Sequence, residues 1–236
     1  MVELLTVIAI IGILAALILT AVVESIKHAK IGKARMQSAQ IAQAINSYRS
    51  AYNSYPVSSA VINAATAAKD DYTYGGAVLP NILGPGNWAT NNSEVIAILM
   101  DLENDGFGNP TVNKGHLKNP QQHKLLDATM VSDPALPGVG PDLVYRDPWG
   151  NPYIISLDLN YDGKCKDAFY CLKSVSQQAN QTGFNGLVNS VDVGGNGDNF
   201  LFSGDVMVWS LGPDKQADKN QLANTPHNRD NVLSWK

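Results

Sequence analysis

Oxygen-bearing side chains recur at alternate positions in one turn-rich stretch of the sequence. Asp158, Asn160, Asp162 and Gly163 spell D-x-N-x-D-G, the first half of an EF-hand calcium loop. Hard oxygen ligands at this spacing suit Ca²⁺. Position twelve of such a loop would be Phe169, where the motif requires a bidentate Glu. The stretch is therefore a weak calcium candidate, and a polar hairpin turn explains it equally well.

Two cysteines follow this motif. Cys165 and Cys171 lie six positions apart, and the sequence contains no others. An even pair that closes a short loop is typical of a disulfide formed in an oxidising compartment. The alternative is a pair of buried thiols in a reducing compartment. We predict the disulfide.

The sequence carries none of the common catalytic signatures. The histidines at 28, 116, 123 and 227 form no H-E-x-x-H or His/Cys metal spacing, and neither G-x-S-x-G nor a P-loop occurs. The glycine cluster GGNGDN at 194–199 lacks the strand-to-helix context of a dinucleotide site and predicts a hairpin loop. Seventeen basic and 21 acidic residues give a formal net charge of −4, which disfavours nucleic-acid binding. We therefore predict that the protein is not an enzyme.

An uncharged apolar run dominates the N-terminus. Between Glu3 and Glu24 the sequence LLTVIAIIGILAALILTAVV has only two threonines as polar side chains. As a helix it covers roughly 30 Å at about 1.5 Å per residue, which is the thickness of a bilayer core. This predicts a membrane span. A buried core helix and a cleavable signal sequence are the alternatives, although a signal sequence normally has a basic stretch before its apolar region.

Charged residues stand at both ends of this run. An ionised Glu3 at the edge of the hydrocarbon costs about 1 to 3 kcal/mol unless it is paired, so it needs a partner or solvation by headgroups. Lys27, Lys30, Lys33 and Arg35 follow the run. The positive-inside rule would place these four residues, and the chain after them, in the cytoplasm. The cysteine pair favours an oxidising compartment instead, and the residues alone leave this conflict open.

The N-terminal helix is predicted to continue to about Tyr55. Apolar residues recur at i, i+3, i+4 and i+7 spacing from Ile41 onward, and Pro56 is the stop signal. A helix of this length is on the order of 80 Å long. We therefore predict a transmembrane helix and stalk over residues 1–55, hydrophobic in its first half and amphipathic in its second.

Residues 56–236 are predicted to form a globular head. Residues 56–140 are rich in loops, with one short helix that Ser93 caps. Residues 141–236 contain the short strand-like runs LVYRD, PYIISLDL, FLFS and DVMVWSL, separated by turn residues. The predicted fold class is α+β, with the long N-terminal helix packed against a C-terminal antiparallel β-sheet.

Three stretches carry a resemblance to a known family. ELLTVIAIIGILAALILTAVV at 3–23 resembles the mature N-terminal helix of the type IV pilin superfamily, which includes type IV pilins and type II secretion pseudopilins. RDPWGNPYIIS at 146–156 and VWSLGPDK at 208–215 are similar to the head of the major pseudopilins. Together these stretches cover 40 of the 236 residues, and residues 57–140 resemble no family.

The chain also departs from the family pattern. Mature members begin with an N-methylated residue, usually Phe, four positions before the acidic residue, whereas Glu3 stands two positions after Met1. The resemblance therefore implies a true start two residues upstream, after a leader whose basic residues hold the N-terminus in the cytoplasm. The helix-kinking proline common in pilins is absent, which leaves Gly12 as the helix-weakening residue of the span.

The resemblance implies a structural protein that polymerises through its N-terminal helix. Glu3 would pair with the free N-terminal amine of a neighbouring subunit and set the axial register. Partners would be further copies of the chain, a prepilin peptidase, a platform protein and an assembly ATPase. The protein would wait in the inner membrane and then enter an extracytoplasmic, cell-surface filament. The assembly residues would be Ile10, Gly12, Leu14, Ala15 and Ala16, of which the small ones allow close helix approach.

The alternative function is a monomeric, membrane-anchored extracytoplasmic module for binding or adhesion. The resemblance also implies a calcium site, because major pseudopilins hold this ion in the loop after the VWSL strand. Carried over to this sequence, Leu211 would offer a carbonyl and Asp214 and Asp230 would offer carboxylates, with Asp218 as a spare carboxylate between them. No other cofactor is expected.

Overall fold

A single helix, α1 (Val2–Tyr52), forms the N-terminal part of the computed structural model, which describes residues 2–179, 182–190 and 197–236. It contains no proline, and Leu and Ala favour the helical state. It ends three residues before the predicted Tyr55, because Asn53 turns left-handed with φ 51° and donates its N–H to the carbonyl of Arg49 at 2.8 Å. The first half of the helix stands clear of the head. Among the described side chains of α1, the first buried one is that of Ala34.

Short elements make up the head. Its helices are α2 (Ser59–Ala68), α3 (Val78–Leu83), α4 (Ser93–Leu99), α5 (Lys173–Ser176) and α6 (Pro226–Arg229). Its strands are β1 (Tyr72–Tyr74), β2 (Gly138–Val139), β3 (Tyr145–Arg146), β4 (Ile154–Leu157), β5 (Gln177–Ala179), β6 (Thr182–Gly183), β7 (Val188–Asn189), β8 (Phe200–Leu201), β9 (Val206–Ser210) and β10 (Val232–Leu233). Turns of 3₁₀-helix occupy Asn87–Ala89, Lys114–His116 and Phe184–Gly186.

The strands form antiparallel sheets. The main sheet has the order β1-β4-β9-β10, and its central pair places Ile155 opposite Val208 and Leu157 opposite Val206. A second sheet has the order β5-β6-β7-β8, and β2 pairs with β3. The α+β fold class is confirmed: a long N-terminal helix lies against an antiparallel sheet.

The main sheet is buried on both faces because its residues alternate between two hydrophobic clusters. Ile155 and Val208 belong to the cluster that includes Ile41 and Ile45 of α1. The neighbouring strand residues Ile154, Met207 and Trp209 belong to a second cluster. This period of two is the pattern of a pleated strand with a packed layer on each side. The apolar stripe on the second half of α1 therefore packs where the sequence predicted.

A polar joint also attaches α1 to the head. Arg49 forms an ion pair with Asp205, the residue before β9, and its guanidinium lies 5.0 Å from the ring centroid of Tyr55 and 5.9 Å from that of Tyr161. Farther down the helix, the hydroxyl of Tyr153 donates to Oε1 of Gln37 at 2.9 Å. Stacking on two rings and pairing with a carboxylate both suit the planar guanidinium.

The predicted helix at Ser93 exists, but its start differs in detail. Asn92 is the N-cap, Ser93 is the first helical residue, and the side chain of Asn92 makes no cap hydrogen bond. Instead, Asn92 Nδ2 donates to the carbonyls of Tyr145 and Tyr153 at 3.0 and 2.8 Å, and its Oδ1 accepts from the N–H of Tyr145 at 2.9 Å. A long-range contact with β3 has thus replaced the local cap.

Candidate functional site

The apolar half of α1 is a continuous exposed surface. Every side chain that the structure describes between Val2 and Lys30 is exposed, and Ile10 and Leu14 are 53% and 52% accessible. The hydroxyl of Thr6 donates to the carbonyl of Val2 at 3.0 Å, so this polar side chain is satisfied within the helix. The helix is long and apolar enough to cross a membrane, and a signal sequence near an N-terminus would meet the same criterion.

Small residues interrupt this surface at one level. Gly12 and Ala16 are four positions apart and therefore share a face, with Ala15 beside them. Apart from the adjoining residues and backbone of α1 itself, a Cβ built on Gly12 meets no atom within 4 Å in the described part of the chain. Packing within the single chain therefore does not require small side chains at this level of α1. They leave a shallow depression that suits close approach by another helix.

Polar residues flank the apolar surface as the sequence suggested. Glu3 lies in the first turn of α1, where the helix dipole favours a carboxylate, and it has no ion pair among the described residues. At the other end, Glu24 lies 3.3 Å from the imidazole of His28. Lys27, Lys30, Lys33 and Arg35 are all exposed, and across the described ranges none of the four forms an ion pair.

The loop after β9 meets the C-terminal segment at Asp230. Gly212 has φ +71°, and a Cβ there would lie 2.2 Å from the carbonyl oxygen of Asp230, so the two backbones touch. The N–H of Asp214 donates to Oδ2 of Asp230 at 3.4 Å, and Oδ2 of Asp214 lies 3.2 Å from Nδ1 of His227. The structure therefore brings together Asp214 and Asp230. Leu211 is buried one residue before Gly212.

Two oxygens beside this contact have no partner. Oδ1 of Asp230 and Oδ1 of Asn231 are buried and accept no hydrogen bond within the described part of the chain. Burial raises the pKa of Asp230, and the nearby carboxylate of Asp214 raises it further. Two close carboxylates with an unsatisfied oxygen favour a hard cation such as Ca²⁺.

Asp218 does not join this group. Its carboxylate accepts from the N–H of Asn220 at 2.8 Å and from Nε2 of Gln221 at 2.9 Å, and the Asn220 bond holds its pKa below the usual range. Asn228 is a buried residue of α6 that the sequence analysis missed. Its Oδ1 accepts from the N–H of Asp218 and its Nδ2 donates to the carbonyl of Asp218, so it joins the turn at Asp218 to α6. Within residues 2–179, 182–190 and 197–236, no three His, Cys, Asp or Glu side chains are placed to hold a metal. Calcium at Asp214 and Asp230 would therefore need amide or carbonyl oxygens as further ligands.

The D-x-N-x-D-G stretch forms a hydrogen-bonded turn. Asp158 is buried, its two carboxylate oxygens accept from the N–H groups of Asp162 and Gly163, and burial raises its pKa. Oδ1 of Asn160 accepts from the N–H of Asp162 at 2.9 Å, and Oδ1 of Asp162 accepts from the N–H of Lys164 at 2.8 Å. These contacts describe the polar turn that was one of the two sequence interpretations.

The predicted disulfide is not formed in the structure, where Cys165 and Cys171 are free buried thiols. Each cysteine is held by its own backbone contacts. Cys165 exchanges N–H···O bonds with Phe202, whereas Cys171 closes a turn on Asp167 and its Sγ donates to the carbonyl of Ala168 at 3.5 Å. Burial raises the pKa of both thiols, that of Cys171 to about 12. The short spacing between the two cysteines therefore does not lead to a disulfide in this fold.

The predicted GGNGDN loop lies partly outside the described residues, which resume at residue 197. Within the described part, Oδ1 of Asp198 accepts from the N–H of Lys173 at 2.8 Å.

Comparison with known proteins adds no relative: no family model, no curated protein and no solved structure matches this chain.

Proposed function

We propose that the chain is a structural subunit that polymerises through the apolar half of α1 into a filament of the type IV pilus or type II secretion pseudopilus kind. One observation carries the proposal: a folded head holds a helix in whose first half every described side chain is exposed. Its apolar side chains need a non-aqueous environment, which lipid supplies before assembly and neighbouring helices supply afterwards. The resemblance of residues 3–23 to pilins supports the second step.

Two features favour helix neighbours over lipid alone. The Gly12–Ala16 face allows close helix approach, and an anchor that stays in lipid has no need of it. Glu3, without an ion pair among the described residues, is suited to pair with the N-terminal amine of another copy. The implied machinery is a prepilin peptidase that releases and methylates the N-terminus, a platform protein and an assembly ATPase, with the inner membrane as the point of departure.

Calcium is part of the proposal. Asp214 and Asp230 would supply carboxylate oxygens, Leu211 a carbonyl and Asn231 an amide oxygen, and the bound ion would fix the loop after β9 to the C-terminal segment. The buried oxygens without partners support this assignment. The D-x-N-x-D-G turn is a weaker candidate, because its carboxylates accept backbone N–H groups and, in the described part of the chain, none of its side-chain oxygens is buried without a partner.

The test replaces Gly12 with Leu. The substitution raises apolarity and helix propensity, and a Cβ at this position meets nothing in the single chain, so folding and membrane insertion should be intact. We expect filaments sheared from cells that express the chain and its assembly machinery to fall at least tenfold in negative-stain images. Gly32→Leu is the matched control, because Gly32 is also an uncrowded glycine of α1 but lies beyond the apolar half.

The rival function is a monomeric membrane-anchored module for binding or adhesion. It predicts that Gly12→Leu changes nothing, because a lone anchor tolerates a larger apolar side chain. Normal filament yield from Gly12→Leu would contradict close packing at this face. A wild-type protein that stays in the membrane fraction without filaments would favour the rival.

A further inference from the structure

A pocket of about 270 Å³ opens on the head, away from both the apolar half of α1 and the loop after β9. It lies between the C-terminal turn of α2, the first strand β1, the 3₁₀ turn at Asn87–Ala89 and the segment Lys166–Leu172. Its lining combines alanines, an indole ring, a thiol and several carboxylates. Its size suits a ligand of about ten heavy atoms, at the small end of protein ligand pockets.

One side of the pocket is apolar. Trp88 is half-buried, and its Nε1 donates to the carbonyl of Gly84 at 3.0 Å, which leaves the ring rather than the N–H to face a ligand. The ring lies on Gly86, where a Cβ would come within 2.3 Å of the indole, so the glycine sets the position of the ring. Cys171 adds an uncharged surface, because its thiol keeps its proton at neutral pH.

The other side is acidic. Asp70, Asp71 and Asp198 line the pocket, and Lys166 is its one cationic lining residue within the described part of the chain. Nζ of Lys166 lies 2.8 Å from Oδ2 of Asp70, which pairs those two charges. Asp71 and Asp198 accept hydrogen bonds from backbone N–H groups and form no ion pair among the described residues. Above pH 7, where Asp71 is ionised, negative charge therefore remains beside the apolar wall.

We propose that this pocket binds a small organic cation, namely a protonated amine on a short apolar chain. The ammonium group would lie between Asp71 and Asp198 and beside the face of Trp88, and the carbon chain would lie against the alanines of α2. Carboxylates attract the ammonium, and an aromatic face adds cation–π attraction. An anionic ligand would be repelled by the same two carboxylates, and a neutral alcohol would gain no charge-assisted hydrogen bond. This inference is independent of filament assembly.

The test compares two ligands with the same pentane chain, one that ends in ammonium groups and one that ends in hydroxyl groups. Cadaverine (1,5-diaminopentane) and 1,5-pentanediol are titrated into the detergent-solubilised full chain by isothermal titration calorimetry at pH 8. We expect cadaverine to bind at least about tenfold more tightly, because one charge-assisted hydrogen bond corresponds to roughly that factor. Equal affinity for the two ligands, or no cadaverine binding at about 10 mM, would overturn the proposal.

Two variants locate the binding. Asp198→Asn should weaken cadaverine binding by about tenfold, and its exposed position makes loss of folding an unsuitable explanation for the change. Trp88→Leu keeps an apolar wall but removes the ring, and should weaken binding several-fold. Asp127→Asn is the control, because Asp127 is an exposed carboxylate outside the pocket. Cadaverine affinity that responds to Asp127→Asn as much as to Asp198→Asn would refute the location.

Discussion

Buried carboxylates in the head differ in how well their oxygens are satisfied. Asp167 is fully buried, and its oxygens accept from the N–H groups of Phe169 and Tyr170, the hydroxyl of Ser156 and the indole of Trp209. Such a residue is structural, because every donor comes from the fold itself. Asp230 is different, since one of its oxygens is buried without a partner. An orphaned acceptor costs about 1 to 3 kcal/mol, which a bound cation would recover.

The first prediction concerns calcium at Asp230. Millimolar Ca²⁺ should raise the unfolding midpoint of the wild-type protein by about 5 °C or more, because the ion binds the folded state only. Asp230→Asn should abolish this shift by removing a charged ligand. Asp218→Asn is the control and should keep the shift, because Asp218 is engaged in its own turn. A calcium shift that persists in Asp230→Asn would exclude this site and redirect attention to the turn at 158–163.

The second prediction concerns Asp71. Burial raises its pKa from 3.8 to about 7, and the charge of Asp158 contributes, although the N–H of Lys166 opposes the shift. Because the folded-state pKa is the higher one, the protonated form stabilises the fold. This stabilisation is complete below pH 3.8 and is lost as the pH rises through about 7.

The measurement is urea unfolding of the wild-type protein and Asp71→Asn between pH 5 and 8. The wild-type free energy of unfolding should fall relative to that of the variant by about 1 to 2 kcal/mol across this range, a figure reduced for partial exposure. Asp127→Asn should show no such divergence, because Lys124 holds the pKa of Asp127 below its usual range. Parallel pH curves for the wild-type protein and Asp71→Asn would mean that Asp71 is ionised throughout.

At the scale of elements, the sequence predicted the helices and strands whose formation depends on neighbouring residues. The apolar run and the i, i+3, i+4 stripe predicted α1, and short strand-like runs separated by turn residues predicted β3, β4, β8 and β9. The short strand β1 was missed because Tyr72–Tyr74 is too brief for a periodicity and is fixed by its pairing with β4. Likewise, the sequence predicted Ser93 as the cap of α4, whereas Asn92 is the N-cap and its side chain bonds to β3 across 53 positions of sequence. Tertiary contacts of this kind carry no local signal.

The candidate sites divide in the same way. The exposure of Ile10 and Leu14 follows from composition alone, since a helix that is apolar on every side and joined to a soluble head has nothing in its own chain to cover it. The resemblance named Asp214 and Asp230 as ligands of one site, but their spacing carries no local signal of contact, which depends on how the C-terminal segment returns to β9. The amine pocket was beyond prediction, because its lining comes from residues as far apart as Ala64 and Asp198.

At the scale of the whole molecule, charge is unevenly divided. Residues 1–55 carry five Lys or Arg and two Asp or Glu, whereas residues 56–236 carry twelve and nineteen. The helix is therefore basic and the head acidic. In the proposed filament, copies that stack with the basic segment of one chain near the head of another would attract each other, and this attraction would weaken with salt.

The last prediction is that the head folds without the apolar half of α1. No described side chain before Gly32 other than Ile31 is even partly buried, so removal of residues 1–24 takes no contact from the core. The shortened chain should be soluble, form no filaments and unfold within about 2 °C of the full chain, as circular dichroism would measure.

A second truncation defines what the head does require from the helix. A chain that begins at Gln43 also loses Ala34, Ser38 and Ile41, which are fully buried, and Ile41 packs in the cluster that includes Val208. Loss of the Ile41 side chain alone should cost about 2 to 5 kcal/mol, and the cavity beside β9 would expose apolar surface to water. We therefore expect this shorter chain to unfold at a much lower temperature or to aggregate. If instead it matched the chain that begins at Ser25, the second half of α1 would be a linker and not a layer of the head. If the chain that begins at Ser25 failed to fold, the prediction would be wrong. The head would then depend on the apolar half of α1, although the side chains of that half are exposed in the single chain.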